Sequence, residues 1–330
     1  MNTVKWGIAG PGRQAAVLAA DFEHVPGAEL VAVGSRSQSR AQAFADAHGV
    51  ARAHASYADL MRDPEVDVIY IATPHPQHRD LALAAIAEGK AVLVEKAFAA
   101  TLEGAEAIAY AARTKGVFAM EAMWTKFLPA IAKARELVRA GEIGEVRGVQ
   151  GDLIAFREYV PTDRLFDPLL GGGAVLDLGV YAVGFAQHFL GQPDVVHSVG
   201  GHFPNGVESE VGILLGYDDG RSASLSIGFT CRGPGRMALF GTKGWIDVHP
   251  RFHHPNSITV HRAGSEPELL TLNPLGAGYA HELIEVTQRI AAGHTESEIN
   301  PLDDTIAVQQ TMATVLDQMG LHPKDDDLAV

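Results

Sequence analysis

The stretch Val4-Lys5-Trp6-Gly7-Ile8-Ala9-Gly10-Pro11-Gly12-Arg13-Gln14-Ala15 decides the reading of the fold. A mostly apolar, strand-like run enters a G-x-G-x-x-A turn, and an alanine-rich helical pattern follows. Strand, glycine turn and helix in that order are what a dinucleotide-binding βα unit requires. The turn must be tight, one residue must lack a side chain where backbone approaches a pyrophosphate, and helix N–H groups must face the anion. The same letters could form a plain Gly-Pro-Gly loop, so the flanking context is what assigns Gly10, Gly12, Arg13 and Gln14 to cofactor binding.

Outward from this turn, residues 30–34, 66–72, 91–95 and 117–120 read as further strands, while 14–22, 37–48, 77–88 and 101–115 repeat apolar residues near the helical period. Strands separated by helices imply right-handed βαβ units, so residues 1–121 are predicted to form an α/β Rossmann domain with a doubly wound parallel sheet. Past that point the grammar changes. Helices at 129–140 and 174–190 precede strand-like stretches at 194–202, 209–217, 221–229, 235–241 and 256–262, with turns such as Asp219-Gly220 between them. Two late helices follow near 279–292 and 301–320. Consecutive strands joined by short turns predict an α+β domain with a mainly antiparallel sheet over residues 122–330.

At 330 residues, with 47% hydrophobic and 20% charged side chains, the chain can bury two cores and has none of the composition of a disordered segment. Lys and Arg total 26 against 40 Asp and Glu, a net charge of -14, which disfavours nucleic acid as a partner. The one cysteine, Cys231, has no partner for an internal disulfide and reads as a packed thiol. Residues 1–7 run into a strand pattern without the apolar region of a secretory leader. No stretch reads as a membrane helix of roughly 18 or more apolar residues, so a cytoplasmic location and no membrane partner are expected.

The second strand ends where an NAD-selective site commonly places an acid for the ribose 2′-hydroxyl. Here stand Ser35, Arg36 and Ser37, with Arg40 a turn further on. A guanidinium can fork onto a 2′-phosphate that a carboxylate would repel, so the reading is NADP, with NAD still open. Arg36 and Arg40 as solvated surface charges are the plain alternative.

Two more strands end in polar residues at the edge that faces ligand in an open α/β sheet: Thr73-Pro74-His75-Pro76-Gln77-His78 and Glu95-Lys96. Lys96 follows an apolar run and needs a partner or a task, though a surface lysine fits the letters as well. The second dense segment is Gly171-Gly172-Gly173-Ala174-Val175-Leu176-Asp177-Leu178-Gly179-Val180-Tyr181. Four residues apart on a helix, Asp177 and Tyr181 share a face. A tyrosine near pKa 10 is a poor base, and each unit of lowering takes about 1.4 kcal/mol, which a nearby ammonium can supply. By spacing alone, Asp177 as a cap and Tyr181 as a packed aromatic remain open.

Taken together, these segments resemble the glucose-fructose oxidoreductase / inositol dehydrogenase (Gfo/Idh/MocA) family, within it the branch of dihydrodiol and D-xylose dehydrogenases. The resemblance rests on residues 10–15, 73–78, 89–96, 120–127 and 171–181. It implies a Rossmann domain joined to an α+β domain with a large open sheet whose exposed face makes a homodimer or higher oligomer. It also implies hydride transfer between NADP or NAD and a hydroxyl carbon of a sugar, cyclic polyol or trans-dihydrodiol, with no metal. By the same resemblance Tyr181 is the acid/base, Lys96 its electrostatic partner and Asp177 the orienting group. Thr73, Pro74, His75, His78, Glu95, Lys96 and Trp124 join the cofactor site, and Trp124, Phe127, Phe156, Asp177 and Tyr181 the substrate site. The aromatic walls are equally readable as core, and Arg157, Asp163 and Arg164 as a lid or a solvated loop. The family's proline after the lysine is Ala97 here, so a trans Lys96–Ala97 bond is expected. The rival functions are an NAD-dependent glycoside hydrolase of the same fold and a non-catalytic NAD(P) or sugar regulator.

Overall fold

The structure is a computed structural model that describes Thr3–Asp326 and Leu328. Its N-terminal part alternates β1 (Val4–Ala9), α1 (Arg13–Asp21), β2 (Ala28–Gly34), α2 (Gln38–His48), β3 (Arg52–His54), α3 (Tyr57–Met61), β4 (Val68–Ile71), α4 (His78–Ala87), β5 (Ala91–Glu95), α5 (Leu102–Lys115) and β6 (Ala119–Ala122). The six strands are all parallel, in the order β3-β2-β1-β4-β5-β6. This is the doubly wound dinucleotide-binding order, which reverses between β1 and β4. β4 and β5 inside the sheet and β6 at its edge are buried throughout, as strands covered on both faces must be. Ile69, Ile71, Val92 and Val94 pack with Leu81, Ala85 and Ile86 of α4 and Ala105, Ile108 and Ala109 of α5. Each fully buried Ile or Leu contributes roughly 1.5–3 kcal/mol.

The second sheet is preceded by α6 (Pro129–Arg139) and assembled from β7 (Val146–Ile154), then, after α7 (Val180–Leu190), from β8 (Val195–His202), β9 (Glu208–Gly216), β10 (Ser222–Gly228), β11 (Met237–Gly241), β12 (Gly244–Val248), β13 (Ser257–Arg262) and β14 (Glu268–Thr271). Its order is β14-β13-β12-β11-β7-β10-β9-β8, antiparallel except for the β7–β10 pair. β10 alternates exposed serines with buried Ala223, Leu225 and Ile227, so one face packs and the other is open. On the packed face, α7 lies over β7 and β10. Helical segments from Pro168 to Leu190 are long and apolar enough to cross a membrane by length and composition, with mean hydropathy 1.6, where the sequence reading finds no such stretch. That window is 78% buried inside the protein, so the apolar character is that of a core helix.

The chain ends with α8 (Ala280–Ala291) and α9 (Leu302–Gln318). Two compact units result: one runs through Trp124 and takes in Leu275–Ile306 and the chain from Lys324, the other comprises Thr125–Pro274 and Ala307–Pro323. The linear division at 121 and 122 therefore does not hold for the later helices. The buried Asp21 carboxylate accepts the Ala277 and Ala280 N–H groups at 2.8 and 3.0 Å, and Asn300 Nδ2 donates to the Glu121 carbonyl at 2.9 Å. Such polar anchors tie α8 and the segment after it to the Rossmann unit.

Candidate active site

The glycine turn sits at the sheet's reversal point. Gly10 has φ +94°, and a Cβ there would lie 2.9 Å from the Ala72 carbonyl oxygen and 3.0 Å from Thr73 Cγ2, so only glycine fits. Gly12 caps α1 with no side chain, and a Cβ on it would meet nothing within 4 Å. The first turn of α1 holds no acidic residue. A helix start with no capping side chain and no carboxylate in its first turn is the arrangement that receives an anion.

At the end of β2, Ser35 is buried and its Oγ accepts the Ser37 N–H at 3.2 Å, while Ser37 caps α2 by accepting the Arg40 N–H at 3.4 Å. Arg36 and Arg40 are exposed and flank Tyr57, whose phenol is pushed up by burial against the pull of the two guanidinium charges. Beyond β4, Thr73 Oγ1 is buried with no hydrogen-bond partner among the described residues. His78 is fully buried, its ring nitrogens 2.9 and 2.8 Å from the carbonyl oxygens of Ala97 and Thr73, with His75 edge-on to it at 5.7 Å. His78 thus ties the loop after β4 to the loop after β5.

Lys96 is partly buried directly after β5, and its N–H donates to Glu95 Oε2 at 3.1 Å. The Lys96–Ala97 bond is cis, correcting the trans expectation. Ala97 and Phe98 are fully buried, the His78 ring meets the Ala97 carbonyl, and the Phe98 N–H donates to Glu121 Oε1 at 3.1 Å. These tertiary contacts, invisible to a reading of the isolated dipeptide, set the path of the segment.

Around Glu95 the structure gathers groups the sequence reading passed over. The Tyr70 hydroxyl donates to Glu95, and burial, then the Glu95 charge, push the Tyr70 phenol well up. Glu282 of α8 is fully buried with neither carboxyl oxygen hydrogen-bonded among the described residues. Burial, then the charges of Glu95 and Glu121, hold its carboxyl well above the usual range. Trp124, 7% exposed, stacks on Tyr279 at 4.1 Å with planes 7° apart. Tyr70, Glu121 and the neighbouring pair Tyr279 and Glu282 come from three distant parts of the sequence and share no motif, so only the folded chain groups them.

In the second unit, the segment predicted as one helix begins as a π-type turn, Val175–Gly179, and becomes α-helical at Val180. Asp177 lies in the turn, its Oδ1 3.6 Å from an Arg164 guanidinium nitrogen, which gives Arg164 a definite partner. Tyr181 is 9% exposed, its ring 5.2 Å from that of His253, and Thr125 Oγ1 donates to the His253 carbonyl at 2.7 Å. Nothing in the local sequence of His253 marks it as a neighbour of Tyr181. Phe127 is 8% exposed and packs as core, whereas Phe156 is 46% exposed with the Arg232 guanidinium 5.9 Å from its ring centre. Cys231 is exposed in the turn after β10, not packed, because the chain has left the sheet by that point.

Comparison with known proteins follows the same outline. Residues 4–123 match an oxidoreductase family with an NAD-binding Rossmann fold, and residues 131–247 match the GFO/IDH/MocA C-terminal domain. The trans-1,2-dihydrobenzene-1,2-diol dehydrogenase of Xenopus laevis is 33% identical over 326 residues, 96% of this chain and 98% of that protein. The human enzyme of the same name is 31% identical over 335 residues, covering 98% and 99%. Among solved structures, a 3-ketoreductase from Actinomadura kijaniata in complex with NADP and TDP-benzene superposes with a TM-score of 0.84 at 24% identity, covering 96% of this chain and 98% of that one. An aldose-aldose oxidoreductase from Caulobacter crescentus has a TM-score of 0.86 at 23% identity, covering 97% and 98%.

Proposed function

Because the chain belongs to the GFO/IDH/MocA oxidoreductase family, we propose that it is an NADP-dependent dehydrogenase acting on a secondary hydroxyl of a trans-dihydrodiol, sugar or cyclic polyol. What carries this reading is the nearly full-length likeness to dihydrodiol dehydrogenases at 31–33% identity. The dinucleotide fits the residues present. Gly10 lets the turn close against Ala72 and Thr73, Gly12 leaves room for a pyrophosphate at the start of α1, Thr73 holds a buried hydroxyl with no partner among the described residues, and the end of β2 offers Ser35, Arg36, Ser37 and Arg40 to a 2′-phosphate with no acid among them.

When bound, the nicotinamide supplies the hydride acceptor. In the proposed step the substrate C–H pair departs, the carbon–oxygen bond becomes a carbonyl, and the hydroxyl proton passes to the Tyr181 oxygen. Lys96 favours the tyrosinate by its positive charge, and Asp177 orients the substrate hydroxyls from the turn that Arg164 also engages. Phe156, half exposed, offers an apolar wall to a ring-shaped substrate. The test follows absorbance at 340 nm with NADP or NAD and a panel of D-xylose, D-glucose, inositol and trans-dihydrodiols, using wild type and Tyr181→Phe. The reading expects NADP reduction by wild type and a kcat at least about 100-fold lower in the variant, with cofactor affinity unchanged. Near-normal turnover of the variant overturns the assignment of Tyr181, and hydrolysis of a glycoside without net cofactor reduction would favour the hydrolase reading.

The proposed assembly is a homodimer through the open sheet face. The strand registers place Val195, Val199, Leu214, Ser224, Gln150, Phe240, Trp245 and Leu269 on that one side. Val199 and Leu269 are 76% and 61% exposed, and the Trp245 ring stacks on His261 at 4.2 Å. Small residues across the middle strands, Gly148, Gly212, Ser222, Ser224 and Ser226, make the face flat enough for a second copy to lie against it.

A further inference from the structure

We infer that Glu208 is a positioning residue for proton transfer, its carboxyl holding the turn that presents Asp177 and leads into Tyr181. This rests on the assignment of Tyr181 as acid/base and deepens it. Glu208 opens β9 and is 2% exposed. Its Oε1 accepts the Val175 N–H at 2.7 Å. Val175 is the first residue of the π-type turn that contains Asp177, and α7 follows immediately with Tyr181 as its second residue. The start of a helical segment leaves N–H groups without intrahelical partners. Here Ala174 has no side chain able to cap them, so the cap comes from 33 residues further along the chain. A carboxylate is also the group that the positive end of a helix favours.

The glycine run is shaped around this contact. Gly173 has φ +120°, and a Cβ on it would lie 2.4 Å from both Glu208 carboxyl oxygens. A Cβ on Gly172 would lie 2.8 Å from the backbone N and O of Asp167. Gly172 thus lets the preceding loop close down, and Gly173 yields the space that the carboxyl fills. A buried carboxylate is costly to keep, and here backbone, glycine and acid are fitted to one another directly before the residues assigned to the chemistry. Because a misplacement of about 1 Å can cost about 100-fold in rate, the contact bears on turnover and not only on folding.

The experiment measures steady-state oxidation of the best substrate found above, NADP affinity by fluorescence titration, and hydrogen exchange over residues 173–181, for Glu208→Ala, Glu208→Gln, Glu208→Asp and Tyr181→Phe in the full chain. Glu208→Ala should lower kcat at least about 10-fold with NADP affinity within about 2-fold and exchange faster at the Val175 amide. Glu208→Gln, whose amide oxygen still accepts that N–H, should return kcat to within about 3-fold of wild type. Glu208→Asp, which keeps the charge but withdraws the oxygen, should lose kcat as the alanine variant does, and it serves as the probe where alanine prevents folding. Wild-type kcat in the folded alanine or aspartate variant, or glutamine performing no better than alanine, overturns the inference. If Tyr181→Phe is inactive in that event, only the role of Glu208 falls; if Tyr181→Phe is active, the acid/base assignment falls with it.

Discussion

Glu208 makes a quantitative statement about pH and stability. Burial pushes its carboxyl from 4.5 up to about 7, against the pull of the Val175 and Glu208 backbone N–H groups. The folded state therefore holds this proton more tightly than the unfolded chain does. A group raised in this way contributes stability that is complete below the unfolded value, about 4.5, and lost as pH climbs through about 7. Moving a titration point from 4.5 to about 7 corresponds to roughly 3 kcal/mol. Glu208→Gln keeps the shape and the acceptor oxygen but does not titrate, so subtracting its profile from wild type removes every other ionising group. Urea unfolding from pH 4.5 to 8.5, followed by circular dichroism, should show the stability of the glutamine variant relative to wild type rising by roughly 3 kcal/mol over that range. A difference that stays flat to within about 0.5 kcal/mol would refute the argument that this carboxyl is desolvated and ionises at a cost.

Three other perturbations separate the remaining assignments. Arg36→Glu should weaken NADP by about 10-fold to 100-fold, the scale of a lost charge-assisted hydrogen bond, and leave NAD little changed; equal loss of both in a fluorescence titration would remove Arg36 from the 2′-phosphate site. Glu282→Gln should be more stable than wild type at alkaline pH and converge on it at acid pH, since burial and the Glu95 and Glu121 charges raise the Glu282 carboxyl; thermal midpoints moving in parallel across pH would contradict this. Trp245→Glu places a charge on the open sheet face beside His261 and should convert the proposed dimer to monomer in light scattering at micromolar concentration, whereas an unchanged mass would shift the interface elsewhere.

The Rossmann half was legible because its signals are local. The turn at Gly10 and Gly12 follows from steric need at adjacent positions, and β1 and β5 occupy the spans their apolar runs predict. The short β3, only three residues at the sheet edge, and the five-residue α3 carry too little periodicity to register. In the second unit β7 was missed because glycines at 148 and 151 and polar Gln150 and Asp152 interrupt its apolar alternation; its place beside β10 is fixed by pairing between residues 74 positions apart, Gly148 with Ser222.

For the site, the sequence by itself determined which atoms are available for chemistry: the glycine turn, the acid-free end of β2, Lys96 after an apolar strand, and Asp177 and Tyr181 after three glycines. Their surroundings were decided by the tertiary structure. Glu208 under Gly173, His253 against Tyr181, Tyr279 against Trp124, and the cis bond after Lys96 all depend on contacts between segments distant in sequence. The physical reason is that a strand or a tight turn is specified by sterics and periodicity over a few neighbouring residues, whereas burial of a charge, the partner of an N–H group and the stacking of two rings are properties of whatever the folded chain brings alongside.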